Sequence, residues 1–265
     1  MWEFNTTKCN IAGLPPYMFC AGTGLMVVLA LYPFLLLYKD CKIDVFMPRL
    51  LYSLPAAFVG AKVLGILLNI LKCFQEGKSI NEETFFQSGI IYYGGLVGII
   101  VTFIFLSNYK NTCNRDELLD ARDSFAILIP LFHSFGRVGC FLSGCCYGIE
   151  AKTCISVLYS ISCLDEGIIT SWRIPTQLIE SSFEFLLFLF MLFLFLKNKC
   201  CGKLLLLYLF IYPIFRFGLE FIRGDSVRGE FFFLSTSQWI SCCLCIYVII
   251  ICIQAKGNEG NGKIF

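Results

Sequence analysis

Seven runs of mainly apolar residues, each long enough to cross a lipid bilayer, constrain the fold of this chain more than any other feature. A transmembrane helix needs about 20 such residues. Of the 265 residues, 57% are hydrophobic and 15% are charged, whereas a soluble domain is about one quarter charged. We therefore predict an all-α, polytopic membrane bundle of about seven transmembrane helices. The predicted spans, numbered one to seven, are residues 17–38, 45–71, 85–106, 124–141, 177–196, 204–222 and 234–253.

The distribution of basic residues predicts how the bundle is oriented. The loops after spans one, three and five and the C-terminal tail carry more lysine and arginine than the opposite side, which favours an outside N-terminus and an inside C-terminus. We predict one integral membrane domain over residues 1–265, with a longer extracytoplasmic loop at about 144–173. The N-terminal segment has no pattern of a cleavable signal peptide. A net charge of +2 without a basic block argues against nucleic-acid binding.

Among the charged residues inside predicted spans, four stand out: Lys62, Arg137, Arg216 and Glu220. Each costs roughly 2.5–3.5 kcal/mol at the centre of a bilayer even on lenient scales, so each calls for a partner or a function. Lys62 either pairs inside the bundle or extends its ammonium group towards an interface.

Span six carries a polar stripe. Tyr212, Arg216, Glu220 and Arg223 are separated by four, four and three residues, which places them on one helical face. Mutual neutralisation of Arg216 and Glu220 is the simplest explanation. It does not explain why another span contains a second arginine.

Span four supplies that arginine together with the single histidine of the chain. His133 and Arg137 are four residues apart, and Gly136 and Gly139 leave room for close approach. Guanidinium groups match phosphate oxygens in a bidentate manner. Two arginines beside a tyrosine stripe therefore predict a site for a phosphate-bearing lipid.

Two further segments complete the candidate site. Span five begins with Gln177 and continues with Glu180 and Glu184 one turn apart. These carboxylates either orient the arginines or lie solvated at the interface. Span three carries Gly94, Gly95 and Gly98, a pattern that allows close helix packing in lipid.

Several motifs together resemble one enzyme family. The sequence His133-Ser-Phe-Gly-Arg-Val-Gly-Cys-Phe-Leu-Ser-Gly-Cys-Cys-Tyr-Gly148 resembles the signature of the prolipoprotein diacylglyceryl transferases, in the form found in a cysteine-bearing subgroup. The resemblance extends from about residue 60 to residue 239. Its other motifs are Gly60-Ala-Lys62, Tyr93-Gly-Gly-Leu-Val-Gly98, Pro175-Thr-Gln-Leu-Ile-Glu180 and Tyr212-Pro-Ile-Phe-Arg-Phe-Gly-Leu-Glu-Phe-Ile-Arg-Gly-Asp225.

The resemblance implies a seven-span enzyme of the bacterial plasma membrane. Such enzymes move the diacylglyceryl group of phosphatidylglycerol to the lipobox cysteine thiol of a prolipoprotein signal peptide and release glycerol phosphate. It implies that Arg137 and Arg216 bind phosphate and act in catalysis. It also implies a catalytic role for Tyr212. The remaining residues implied at the substrate site are Lys62, Gly94, Gly95, Gly148, Gln177, Glu180, Glu220 and Arg223.

The group that activates the acceptor thiol is open at this stage. Many members of the family resembled carry a histidine where this chain has Tyr93. Tyr93 could replace it, His133 could act from span four, or the arginine-rich site could lower the pKa of the thiol without a base. His133 could equally be a packing residue.

Three cysteines, Cys140, Cys145 and Cys146, lie within the signature. Their spacing is a weak indication of a metal site, and we predict no metal and no organic cofactor. Two other functions compete with diacylglyceryl transfer. One is a membrane thiol oxidoreductase that uses these cysteines with a quinone, and the other is a non-catalytic lipid-binding or transport paralogue.

Overall fold

The computed structural model describes residues 2–4, 16–76, 91–109, 114–163, 167–224, 230–231 and 234–259. Within these ranges, seven helices are long and apolar enough to cross a membrane, so the predicted polytopic helical bundle is confirmed. The orientation of the termini stays a prediction. The helices are α1 (Pro16–Tyr38), α2 (Ile43–Glu76), α3 (Tyr92–Tyr109), α4 (Arg115–Leu142), α5 (Thr176–Leu196), α6 (Leu204–Leu219) and α7 (Thr236–Glu259), with a 3-10 turn at Glu220–Ile222.

The beginning of α4 differs most from the sequence-based boundaries. The helix starts at Arg115, nine residues before the predicted span, because its first turns are polar and a hydropathy criterion overlooks them. Asp116 and Glu117 lie in the first turn, where carboxylates interact favourably with the positive end of the helix dipole. Residues 85–90, predicted as the start of span three, lie outside the described residues.

The predicted long loop contains strands that the sequence analysis did not assign. Strand β2 (Val157–Cys163) pairs antiparallel with β3 (Gly167–Arg173), and β1 (Trp2–Phe4) pairs parallel with β2, which gives the order β1-β2-β3. A second pair joins β4 (Glu230–Phe231) to β5 (Leu234–Ser235). Strand pairing satisfies backbone groups that a loop would leave to solvent.

The chain divides into two compact units, residues 1–31 with 123–265 and residues 32–122. The prediction of a single domain stays a prediction. In the second unit, glycines let the backbones of α2 and α3 touch: a Cβ on Gly94 would meet the Gly60 carbonyl and lie 2.7 Å from Leu64 Cβ. Gly98 likewise lies against the Ala56 carbonyl. This is the close packing that small residues permit in lipid.

In the first unit, polar contacts fix the ends of the helices that carry the candidate site. The Asp123 carboxylate accepts the Gly202 amide at 2.5 Å and the Leu204 amide at 3.1 Å, and so caps the start of α6. Ser235 and Gln238 form a reciprocal capping box at the start of α7. These caps set where the polar faces of α6 and α7 begin.

Candidate active site

The Glu180 carboxylate on α5 is the centre of a buried polar cluster. Its Oε1 forms an ion pair with Arg137 Nη2 at 2.9 Å and accepts a hydrogen bond from the Tyr212 hydroxyl at 3.0 Å. Arg216 Nε lies 3.8 Å from the same oxygen. Glu180 is 1% exposed, which excludes the alternative of a solvated interfacial carboxylate. Helices α4, α5 and α6 thus each contribute a charged group to one point.

Arg216 is among the largest side chains that are fully buried, with 2% of its surface exposed. Its Nη1 lies 2.6 Å from Glu220 Oε2, so the predicted pairing within span six exists. Its Nη2 donates to Ser237 Oγ on α7 at 3.4 Å. Because Arg216 also approaches Glu180, mutual neutralisation with Glu220 explains only part of its surroundings.

His133 belongs to the same cluster. Its Nδ1 lies 2.6 Å from Glu184 Oε1, and its Nε2 lies 3.9 Å from Glu180 Oε1. The imidazole meets the Tyr212 ring edge-on with centroids 5.1 Å apart. The histidine therefore has defined partners on α5 and α6, a geometry that suits a positioning role as well as proton transfer.

Both site arginines retain hydrogen-bonding capacity. Arg137 Nε and Arg216 Nη1 are buried, and neither has a hydrogen-bond acceptor with suitable geometry among the described residues. The close contact of Arg216 Nη1 with Glu220 is an ion pair rather than a well-aligned hydrogen bond. A buried charged donor without an acceptor is costly. An oxygen of an anionic ligand could accept from Arg137 Nε, whereas Arg216 Nη1 already has the Glu220 carboxylate beside it.

The segment after α4 is attached to the beginning of α5. Gln177 Nε2 donates to the Cys145 carbonyl at 2.5 Å, and its Oε1 accepts from the Tyr159 hydroxyl at 3.2 Å. Thr176 Oγ1 donates to the Cys146 carbonyl at 2.8 Å. Gln177 therefore holds the loop in this structure, and its predicted contact with substrate stays a prediction.

Gly148 lies where three backbone segments cross. A Cβ at this position would lie 2.7 Å from the Ile174 carbonyl oxygen, 2.8 Å from the Ile222 carbonyl oxygen and 2.9 Å from Thr176 Cγ2. Its amide donates to Ile174 O at 2.8 Å. Only glycine fits there without displacement of the backbone, so its presence in the signature has a packing reason. A role in substrate binding is not tested by this geometry.

Arg223 follows the 3-10 turn after α6, and its backbone bridges to Gly148. The pKa of the nearby Cys146 thiol is lowered, first because the Cys140 and Cys145 thiols hydrogen-bond to its sulfur and also because Arg223 and Arg137 are positively charged. Burial opposes this shift. Asp225, the last residue of the matching motif, lies outside the described residues.

Four predicted site residues, Lys62, Tyr93, Gly94 and Gly95, belong to the second compact unit. Tyr93 is buried with its ring 6.1 Å from that of Tyr92, and Gly95 packs towards the Ala57 carbonyl of α2. Lys62 is half-buried on α2. Their predicted roles in catalysis and substrate binding remain predictions.

The sequence analysis did not single out Arg49 or Ser237. Arg49 is a buried arginine of α2 whose guanidinium lies 4.8 Å from the Phe46 ring centroid. It satisfies the criterion of a charge inside a span and could have been found. Ser237 contacts Arg216, but a serine in an apolar helix carries no distinctive signal.

These features define a multi-pass membrane protein whose first compact unit buries two guanidinium groups around one shared carboxylate. The chain belongs to the prolipoprotein diacylglyceryl transferase family, whose model matches residues 14–254. It is 33% identical to phosphatidylglycerol–prolipoprotein diacylglyceryl transferase 2 of Clostridium perfringens, over 96% of this chain and 97% of that protein.

Two further relatives are named phosphatidylglycerol–prolipoprotein diacylglyceryl transferase. That of Clostridium tetani is 34% identical over 73% of this chain and 72% of its own length. That of Streptococcus uberis is 30% identical over 92% of each chain. The predicted family is confirmed.

Proposed function

We propose that this protein transfers the diacylglyceryl group of phosphatidylglycerol to the thiol of a lipobox cysteine in a prolipoprotein signal peptide and releases glycerol phosphate. The observation that carries the proposal is the pair of buried arginines, Arg137 and Arg216, which share Glu180, together with the buried Nε donor of Arg137, for which the described residues supply no acceptor. The names of the relatives agree with this reaction.

In the proposed reaction the acceptor thiol loses its proton and its sulfur attacks the glyceryl carbon that bears the phosphate. A carbon–sulfur bond forms, the carbon–oxygen bond to phosphate breaks, and the electron pair leaves with the phosphate. The leaving group therefore gains negative charge. Arg137 and Arg216 would stabilise it, because fixed positive donors in a site shielded from water are effective at such a position.

The acidic residues would keep these donors in place. Glu180 fixes the guanidinium of Arg137 at 2.9 Å, and Glu220 fixes that of Arg216 at 2.6 Å. Pre-oriented donors need no reorganisation when charge develops on the leaving group. Tyr212, which donates to Glu180, would support the same arrangement.

The proposal includes the location. Because the homologues are bacterial, we place the chain in the bacterial cell membrane. We propose that its N-terminus lies outside the cell, its C-terminus inside, and residues 144–173 on the extracytoplasmic side. Signal peptides of exported prolipoproteins would then meet the site from the bilayer. Attachment of a tag that is labelled only outside the cell, at each terminus in turn, tests this orientation.

The test of the function is release of glycerol phosphate from phosphatidylglycerol by the purified protein in detergent, with a lipobox peptide as acceptor. Arg137→Ala and Arg216→Ala should each lower the rate by roughly 100- to 1,000-fold, the usual effect of removing one transition-state donor. Arg122→Ala is the matched control, because this arginine lies on the same helix and contacts Asn108 at 2.7 Å. Its rate should stay near that of wild type.

Three results would contradict the proposal. A folded wild-type protein that binds phosphatidylglycerol but releases no glycerol phosphate would be a non-catalytic paralogue. Release that persists with a lipobox peptide containing serine in place of cysteine would show that the thiol is not the acceptor. A reversible disulfide coupled to quinone, without glycerol phosphate, would favour the oxidoreductase.

A further inference from the structure

Three cysteine thiols meet at the end of α4. The sulfur atoms of Cys140, Cys145 and Cys146 all lie within 4.8 Å of one another, and in the described part of the chain none of the three residues forms a disulfide. Among the residues that the structure describes, no other group of three potential metal ligands is this close. Spacing in the sequence alone was a weak indication of a metal site, and the fold brings the three sulfur atoms together.

The protein holds this cluster in a defined conformation. Gly144 and Cys146 both have left-handed backbones, with φ of 67° and 63°, and such a conformation is unfavourable for cysteine. The carbonyls of Cys145 and Cys146 accept hydrogen bonds from Gln177 and Thr176. A strained residue persists only where its surroundings enforce it, and such strain concentrates at functional sites.

The charges around the cluster suit a thiolate-bound cation. Arg137 and Arg223 both act electrostatically on Cys146. Three thiolates carry a charge of −3, and a divalent ion would leave −1, which a neighbouring guanidinium can compensate. Three sulfur ligands select soft or borderline ions such as zinc over magnesium or calcium.

We propose that Cys140, Cys145 and Cys146 bind a zinc ion whose fourth ligand position is open to the thiol of the acceptor peptide. Zinc–sulfur bonds of about 2.3 Å place tetrahedral ligands roughly 3.8 Å apart, which the sulfur separations of this cluster accommodate. Sites with three protein ligands and one open position are those in which zinc acts on a substrate. Cys145 is exposed, which leaves the cluster accessible from one side.

The assignment of the fourth position rests on the proposed diacylglyceryl transfer. An acceptor thiol that binds there would release its proton to solvent, since metal ligation requires the thiolate. Its sulfur would then attack the glyceryl carbon while the carbon–oxygen bond to phosphate breaks. Arg137 links the two sites, because it contacts Glu180 and its charge also acts on Cys146.

The metal itself is tested on the full-length protein purified in detergent without added chelator. We expect about one zinc ion per chain, and cobalt loading should give the intense sulfur-to-metal charge-transfer absorption of thiolate ligands. Cys140→Ser, Cys145→Ser and Cys146→Ser should each lower zinc affinity at least tenfold. Cys154→Ser is the control, because Cys154 is an exposed cysteine of the same loop and should leave zinc binding unchanged.

Equal zinc content in the cluster variants and the control, or a wild-type protein without zinc affinity, would overturn the proposal. A native disulfide between two of the three cysteines, found by alkylation and mass spectrometry, would overturn it as well. Titration of the wild type with a chelator repeats the measurement without substitution, so a variant that fails to fold does not decide the result.

The open position is tested separately with the cobalt-loaded protein. A lipobox peptide with cysteine should change the cobalt spectrum, whereas the same peptide with serine should not. If cobalt binds and neither peptide changes the spectrum, the assignment of the fourth position is wrong. If the cysteine peptide does change it while no glycerol phosphate is released, the zinc proposal stands and the proposed transferase function fails.

Discussion

Replacement of Glu180 by glutamine removes the negative charge that two buried arginines share while it keeps the size of the side chain. At an effective dielectric constant near 20, the attraction of the carboxylate is about 6 kcal/mol for Arg137 at 2.9 Å and about 4 kcal/mol for Arg216 at 3.8 Å. The substitution also removes the cost of keeping a charged carboxylate away from water, which offsets much of this lost attraction. Loss of one partner from a buried ion pair typically costs about 3–5 kcal/mol, and we expect Glu180→Gln to lower the free energy of unfolding by that amount.

An anionic lipid should reverse part of this loss. The phosphate of phosphatidylglycerol would return negative charge to the two arginines, whereas zwitterionic phosphatidylcholine would not. A ligand at one hundred times its Kd stabilises the folded state by about 2.7 kcal/mol. The stabilisation by phosphatidylglycerol should be larger in Glu180→Gln than in wild type, because the wild-type arginines already have a counter-ion. Unfolding midpoints in detergent with each lipid provide the measurement.

Glu184→Gln is the matched control for this experiment. Glu184 lies one turn further along α5, is fully buried and contacts His133 rather than an arginine. Its substitution should destabilise the protein to a similar extent in both lipids. The reasoning about Glu180 would be refuted if Glu180→Gln were as stable as wild type, or if it lost the same stability in both lipids.

Three other substitutions test the packing and the caps. Gly94→Ala places a Cβ against the α2 backbone and should lower the free energy of unfolding by about 1–3 kcal/mol. Gly22→Ala is the control, because nothing lies within 4 Å of a Cβ there, and thermal unfolding should show no loss of stability for it. Asp123→Ala should cost about 1–2 kcal/mol through loss of the α6 cap, measured by the same assay, and an unchanged midpoint would refute the capping role. Tyr212→Phe removes one hydrogen-bond donor to Glu180 and should lower the free energy of unfolding by about 1 kcal/mol, while glycerol phosphate is still released. Complete loss of this release would mean that the hydroxyl takes part in the chemistry.

The polar face of α6 shows why much of the site could be predicted. Tyr212 and Arg216 are four residues apart, and the cost of a charge in lipid makes such a pattern informative without any knowledge of the fold. The same reasoning placed His133 and Arg137 on one face of α4. In the structure both contact Glu180.

The strands of the loop show what could not be predicted. Apolar and polar residues alternate over only five positions, from Tyr159 to Cys163. The full strand from Val157 is defined by pairing with β3 and with Trp2–Phe4. Sheet propensity depends mainly on such neighbours. The beginning of α4 was missed for a related reason, because hydropathy detects the apolar part of a helix and overlooks a polar first turn.

The sequence by itself determined the number of spans, the membrane class and the faces of the helices on which charged groups lie, because the length of an apolar run and the helical repeat are local properties. Only the tertiary structure decided the partners. It assigned Glu180 to Arg137 and Arg216 and Glu184 to His133, and it brought three sulfur atoms to one point. These contacts join groups on different helices or in a loop, so their choice depends on helix rotation, caps and crossing points that no single segment encodes.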